Sequence, residues 1–350
     1  MKLTSKALLA AAGLAAFAFS APANAIEGGV LPQTKAGLFI GSSAGVPPPG
    51  IYMFNQVFTY QGNITGPLTS TAGIGTHNSF QAAVDLQGFL FVPGWTFLGA
   101  TYDAVIVQPF VMQAVGNPLG ATPLLLGNTS SVESGIHNTY IVPVELSWKL
   151  GTSGFAVKTG LGIFAPDGTV TGLAGTGNVG NAFWTFQPEL ILSYLGNGFN
   201  LTAALYEEFN TANTVDNYTT GNIFHADFTA TKTFGKWTLG PVAYYYAQVS
   251  DDKCPIGVCT AINPLGTAGN ASRFHVFAVG GLLEYNFGPA SLSVWATQEV
   301  LAKASNVNPT TTAVFGGDTS FTAQGMTVLA TLSYRLWAPE APAAPTMFHK

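Results

Sequence analysis

The connectors of this 350-residue chain alternate, long then short, along its length. Tight turns are read at Val92-Pro93-Gly94-Trp95, Gly151-Thr152-Ser153-Gly154, Gly196-Asn197-Gly198, Gly235-Lys236 and Gly288-Pro289. Long polar stretches fall near 62–79, 112–135, 166–180, 210–220, 250–271 and 303–320. The segments between them read as strands, and many alternate in polarity, as strands with two unlike faces do. Tight turns at one end and long loops at the other describe an all-β, antiparallel transmembrane β-barrel. Its short turns are periplasmic and its long loops extracellular.

Twelve strands are predicted, at roughly 51–61, 80–91, 96–111, 137–150, 155–165, 182–195, 199–209, 222–234, 237–249, 273–287, 290–301 and 323–337. An even number returns both barrel ends to one side. In the second strand, Phe80, Ala82, Val84, Leu86, Gly88 and Leu90 are expected to face lipid. Gln81, Ala83, Asp85 and Gln87 then face the lumen. In the fourth, Tyr140, Val142, Val144, Leu146 and Trp148 face lipid, opposite Thr139, Glu145, Ser147 and Lys149. In the last, Met326, Val328, Ala330, Leu332 and Tyr334 oppose Thr327, Thr331, Ser333 and Arg335. Aromatics bracket the short turns, among them Phe91, Trp95, Phe155, Phe199, Trp237 and Phe287, as a girdle at the headgroup level does. Open sheet edges cannot sit in lipid, so the first strand is expected to pair with the twelfth.

Only 8% of the residues are charged, against an average near ~25%. That suits lipid-facing strands and not a soluble surface. Residues 1–25 read as a signal peptide: Lys2 and Lys6, a short apolar run from Ala7 to Phe19, and an A-x-A site at Ala23-Asn24-Ala25, with cleavage after Ala25. Residues 26–50 form a Gly/Pro-rich segment, either periplasmic or partly inserted into the barrel as a plug. Residues 51–337 are the barrel, and 338–350 a tail expected to be disordered. Cys254 and Cys259 share one long loop of an exported chain, so a disulfide is expected. With no nearby histidine, the pair is at best half a metal site, and no metal or cofactor is expected. The net charge of −5 gives no support for nucleic-acid binding.

Two enzyme-like motifs carry no weight. Gly41-Ser42-Ser43-Ala44-Gly45 spells a nucleophile elbow, but Val46 and three prolines follow where a helix is needed. Gly175-Thr176-Gly177-Asn178-Val179-Gly180 spells a dinucleotide fingerprint without its helix. His225 and Asp227 share a strand face and should both reach the lumen, where a hydrogen-bonded pair is the plain reading and a Ser–His–Asp relay the sharp one.

The more informative set is the charges on inward parity. The acids are Asp85, Asp103, Glu145, Glu189, Glu208, Asp227, Glu284 and Glu299, and the bases are Lys149, Lys158 and Arg335. Such charges tune passage through a pore, or else pair into a network that blocks it. The acid excess leans toward water in the lumen. Inward Tyr206, Tyr244, Tyr246 and Trp295 either line a path for an aromatic solute or fill a narrow lumen.

Several segments carry a family resemblance. They are Ala44-Gly45-Val46-Pro47-Pro48-Pro49-Gly50-Ile51-Tyr52; Ala165-Pro166-Asp167-Gly168; and Trp184-Thr185-Phe186-Gln187-Pro188-Glu189-Leu190 with Ser193-Tyr194. Further on come Glu208-Phe209-Asn210 through Asn213, Tyr218 and Gly221 to His225 and Asp227. The last is Gly235-Lys236-Trp237-Thr238-Leu239-Gly240, leading into Tyr244-Tyr245-Tyr246, Gln248 and Asp251-Asp252. Together they resemble the outer-membrane family named for a putative meta-pathway of phenol degradation, which also includes sphingosine-induced outer-membrane proteins. Ala212 and Thr220 depart from its pattern, where an acid and a serine are common. The resemblance implies an outer-membrane barrel linked with breakdown of aromatic or lipid-like compounds, not a catalyst.

The expected function is therefore passive uptake of small hydrophobic or aromatic compounds across the outer membrane of a Gram-negative bacterium. The expected partners are outer-membrane lipid, the solute and the barrel-assembly machinery. The rival is a structural or stress-response barrel with a blocked lumen, acting through its loops. A surface lipid hydrolase is a third reading, without a motif.

Overall fold

The computed structural model describes residues 32–67, 79–116, 130–170, 178–215, 217–253, 273–305 and 322–339. The expected signal peptide, most of the tail and the Cys254–Cys259 pair lie outside the described residues. The strand segments are β1 (Gly50–Thr65), β2 (Ser79–Val92), β3 (Thr96–Phe97), β4 (Ala100–Gly116), β5 (Ser130–Ile136), β6 (Tyr140–Lys149) and β7 (Phe155–Phe164). They continue as β8 (Thr185–Gly196), β9 (Phe199–Asn210), β10 (Ile223–Phe234), β11 (Trp237–Gln248), β12 (Arg273–Asn286), β13 (Ala290–Ser305) and β14 (Thr322–Trp337).

These segments make one antiparallel sheet rolled into a closed cylinder of twelve staves. β1 pairs β14 from Ile51↔Trp337 to Thr65↔Thr322, and β2 pairs β4 from Phe80↔Val115 to Phe91↔Ala104. Every stave therefore has two hydrogen-bonded neighbours, the condition lipid imposes on a sheet. β3 is a stub that folds back on Ala100–Thr101 around Leu98-Gly99, so the turn after β2 is longer than its Pro93-Gly94 suggests. β5 continues β6 beyond a break at residues 137–139; together they form one bent stave along β4. The polarity of Ser130–Ile136 hid β5 inside a predicted loop.

Asn197 and Gly198, with φ of 53° and 77°, make the β8–β9 turn, the two left-handed positions that match the twist of a tight hairpin. Aromatics cluster at the turn end of the wall. Phe155 packs on Tyr194 at 5.2 Å, and Trp237 and Phe287 flank Tyr285 at 4.6 and 4.7 Å. Phe91, Trp95, Phe97, Phe234 and Trp337 are exposed on the outside.

Two face assignments are overturned. In β2, Ala82, Val84 and Leu86 are buried inside the barrel, Val84 and Leu86 in a cluster with Ala36, Ile40 and Phe58. Strand alternation then turns Gln81, Ala83, Asp85 and Gln87 outward. Asp85 does not line the lumen; its carboxylate accepts hydrogen bonds from Asn55 Nδ2 at 2.5 Å and Gln87 Nε2 at 3.3 Å on the outer wall. In β6, the register shifts between Ile141 and Glu145. Tyr140 and Val142 therefore point inward on one side of the irregularity, and Glu145 and Ser147 on the other. Thr139 faces away from the lumen, bonded to Gln108 and Asp167. The two reversals have different causes: in β2 the lumen wall is itself apolar, and in β6 the irregularity between Ile141 and Glu145 exchanges the faces midway.

Candidate functional site

The lumen is built around residues 32–45, which run inside the barrel toward the first residue of β1. Successive turns shape this segment, with Leu38 N–H donating to Lys35 O, Ile40 to Gly37 O and Ser42 to Phe39 O. Gly37 is required there twice over. Its φ is +93°, and a Cβ would sit 2.9 Å from the Tyr244 ring and 3.0 Å from Trp295.

The wall holds this segment by its backbone. Glu208 accepts from the N–H groups of Gln33 (3.2 Å) and Thr34 (2.8 Å). Asp227 accepts from those of Gly37 (2.9 Å) and Phe39 (3.1 Å). Thr229 Oγ1 takes Gly41 N–H at 2.9 Å, Ser193 Oγ takes Ala44 N–H at 2.8 Å, and Ser147 Oγ donates to Ala44 O. Phe39 stacks on Tyr206 with ring centroids 4.3 Å apart. A turn-rich stretch enclosed by a sheet needs partners for its N–H groups, and the wall supplies acceptors for six of them.

Glu299 anchors the single cation of the segment. Its oxygens accept from Tyr60 OH (2.8 Å), Tyr244 OH (2.8 Å) and Gly325 N–H (2.7 Å), and Lys35 Nζ lies 3.9 Å away. The Lys35 ammonium donates to Tyr244 OH at 3.0 Å and Ala36 O at 3.1 Å. It also lies 4.4 Å from the Tyr244 ring centroid and 5.3 Å from that of Tyr60, within cation–π range. A separate knot joins β4, β6 and β7: Lys158 Nζ reaches Asp103 Oδ2 and Glu145 Oε2, each at 3.0 Å. Glu189 is buried nearby, one of its oxygens against Gly160 and without a hydrogen-bond partner. His225 Nε2 is 3.1 Å from Glu208 Oε1, an ion-pair distance without hydrogen-bond alignment.

The sequence-predicted residues thus divide by place. Asp103, Glu145, Lys158, Glu189, Tyr206, Glu208, His225, Asp227 and Glu299 are buried, and strand parity points all of them inward. Tyr244 and Trp295 are buried inside too. Lys149, Glu284 and Arg335 keep inward parity but sit near the turn end of the barrel, where the Arg335 guanidinium donates to Pro49 O. The acid excess does not by itself call for water. Segment N–H groups, tyrosine hydroxyls and Lys35 meet much of it. Sequence reasoning left out Lys35, although a lone cation in the segment, facing an acid-rich lumen, was the available signal.

At the loop end, Tyr218 OH, Gly221 N–H and Gln248 Nε2 converge on the Asp252 carboxylate at 2.6, 2.7 and 2.8 Å. Burial pushes that carboxyl well above the usual carboxylate range, against the opposing pull of these three donors. A Thr219–Lys253 bridge closes the same corner.

On its other flank the segment leaves a cavity of about 110 Å³. Phe58 and Tyr60 of β1, Phe80, Val84 and Leu86 of β2, and Val111 of β4 form most of its apolar wall. Gln33, Lys35, Ala36 and Leu38 form the segment side, with Gln113, His137 and Asn181 at the polar margin.

A closed twelve-stave barrel with apolar and aromatic side chains on its outer wall is the architecture of outer-membrane β-barrels. The chain belongs to the family described as Putative MetA-pathway of phenol degradation, whose model matches residues 59–335. Its fold is similar to that of the COG4313 outer membrane channel from Pseudomonas putida F1, at TM-score 0.63 and 10% identity, over 84% of this chain and 98% of that one. A Pseudomonas aeruginosa FadL homologue aligns more loosely, at TM-score 0.42 and 11% identity, over 90% of this chain and 100% of that one. No curated protein sequence matches.

Proposed function

We propose that this protein is an outer-membrane channel for passive uptake of small hydrophobic or aromatic compounds. The observation that carries the reading is the apolar cavity inside the barrel, beside the segment. A barrel that served only as a scaffold would gain stability by filling that space, because packing defects cost energy. The fold likeness to a solved outer membrane channel supports the outer-membrane setting. The gradient of the solute drives movement, and residues 32–45 narrow the lumen until they shift.

A second reading has its own support. Carboxylates, tyrosines and Lys35 grip the segment so fully that a permanently blocked barrel acting through its loops is a coherent alternative. Purified protein in liposomes separates them. The channel reading expects faster entry of toluene-sized solutes than into protein-free vesicles, with little inorganic-ion conductance. Solute entry equal to that of protein-free vesicles would establish the blocked barrel.

A further inference from the structure

The outer wall, away from the lumen, carries an open groove of about 890 Å³. Leu192, Leu201, Phe228 and Val279 line it together with three small side chains, Ala203, Ala230 and Ala243. These residues point to lipid, because Ser193, Thr202, Thr229 and Val242 between them are buried on the inward parity. The groove ends in a polar rim toward the tight turns. Gly196, Phe199 and Lys232 are paired there across β8, β9 and β10. Lys232 shares the outward parity of Phe228 and Ala230, and its ammonium lies 4.4 Å from the Phe199 ring centroid and 5.5 Å from that of Phe234. Among the described residues that ammonium has neither an ion pair nor a hydrogen bond. On the other side of Phe199, Tyr194 of the groove reaches over Gly196, where a Cβ would sit 2.8 Å from the phenol oxygen.

We propose that this groove is a docking site for one anionic phospholipid of the periplasmic leaflet, its phosphate at Lys232 and Tyr194 and one acyl chain along the alanines. The inference stands whether or not the lumen conducts. Each part follows from an observation. Lys232 lies just before the tight Gly235-Lys236 turn, which sets the leaflet. A lysine on a lipid-facing wall is tolerated near the interface, where its ammonium reaches the headgroups. No acid lines the groove, so the counter-charge to Lys232 comes from outside the chain. An ammonium and a phenol can both donate to phosphate oxygens, and the charged donor makes the stronger bond. A choline headgroup would bring a second cation toward Lys232, whereas a glycerol headgroup would not. The groove opens on hydrocarbon and its lining carries little but apolar surface, so an acyl chain covers what a free phosphate would leave bare.

Native mass spectrometry of the full-length chain in detergent tests this, with phosphatidylglycerol and phosphatidylcholine of matched acyl chains as probes. The wild type should retain one phosphatidylglycerol about tenfold more tightly than phosphatidylcholine, the worth of one charge-assisted hydrogen bond. Lys232→Gln should bring the two affinities within about twofold. Lys149→Gln removes the same charge at another turn and should leave the preference intact. Ala230→Phe, or Ala203→Leu should the first fail to fold, should fill the groove and release both lipids. Four results would each overturn the site: equal retention of the two lipids by the wild type, an unchanged preference in Lys232→Gln, an equal fall in Lys149→Gln, or full retention in a folded groove-filling variant. A lipid-free dimer that the groove-filling variants dissociate would also overturn it, and would give the face to a second copy of the chain.

Discussion

The two flanks of the lumenal segment are built on opposite principles. Along β6 to β10 the wall is polar: Glu208 and Asp227 take backbone N–H groups of the segment, and Lys158 knots Asp103 to Glu145. Along β1 and β2 the wall is apolar: Phe58, Val84 and Leu86 cluster with Ala36 and Ile40 of the segment, and a cavity remains beside them. The first flank spends ionic groups on fixing a backbone with no strand partner. The second leaves space where a scaffold would pack. One short stretch of chain is thus a ligand for one half of the barrel and a cavity wall for the other.

The largest expected effect lies in the ionic knot. Lys158→Met leaves Asp103 and Glu145 buried without their cation, and should destabilise the barrel by about 3–5 kcal/mol. Urea unfolding in lipid vesicles reads this directly, and an unchanged midpoint would mean the acids have another partner. Next is the grip on the segment. Asp227→Leu orphans the N–H groups of Gly37 and Phe39, at about 1–3 kcal/mol each. It should speed solute entry into liposomes while leaving the barrel folded, and unchanged entry would deny the clamp a part in passage.

The apolar flank should respond the other way. Val84→Phe fills the cavity and should slow entry of single-ring solutes, at a stability cost of about 1–3 kcal/mol from crowding. If entry holds at the wild-type rate, solutes do not use this space. The smallest effect is expected outside. Asp85→Leu removes a lipid-side carboxylate and frees Asn55 and Gln87 of their acceptor, so the net change should stay within about 1 kcal/mol. A marked change in solute entry would return Asp85 to the lumen.

Much of the barrel was legible in the chain. Turn signals, period-2 alternation and sparse charge located all twelve staves. In β8 to β11 the polar parity does point inward, because the lumen beside them is polar. In β2 the same rule fails: Val84 and Leu86 face an apolar cavity, and Asp85 has two amide donors that make the outer face tolerable. Alternation gives the two faces of a strand but not their order when both sides of the wall are apolar. In β6 an irregularity at Pro143-Val144 exchanges the faces midway, and no composition signal marks it. Of the site, the inward acids were readable. The partners of Glu208 and Asp227 were not, because they are backbone N–H groups of the segment, which a sequence does not display.

The central claim is that residues 32–45 control passage through the barrel. Its most direct test ties the segment to the wall. Ala44→Cys and Ser193→Cys, placed where Ala44 N–H meets Ser193 Oγ at 2.8 Å, would be joined by a disulfide in a Cys254→Ser, Cys259→Ser background. Entry of a single-ring solute into liposomes should fall when the bond is oxidised and recover on reduction. Equal entry in both states, with the cross-link verified by mass spectrometry, would show that the segment does not gate the lumen.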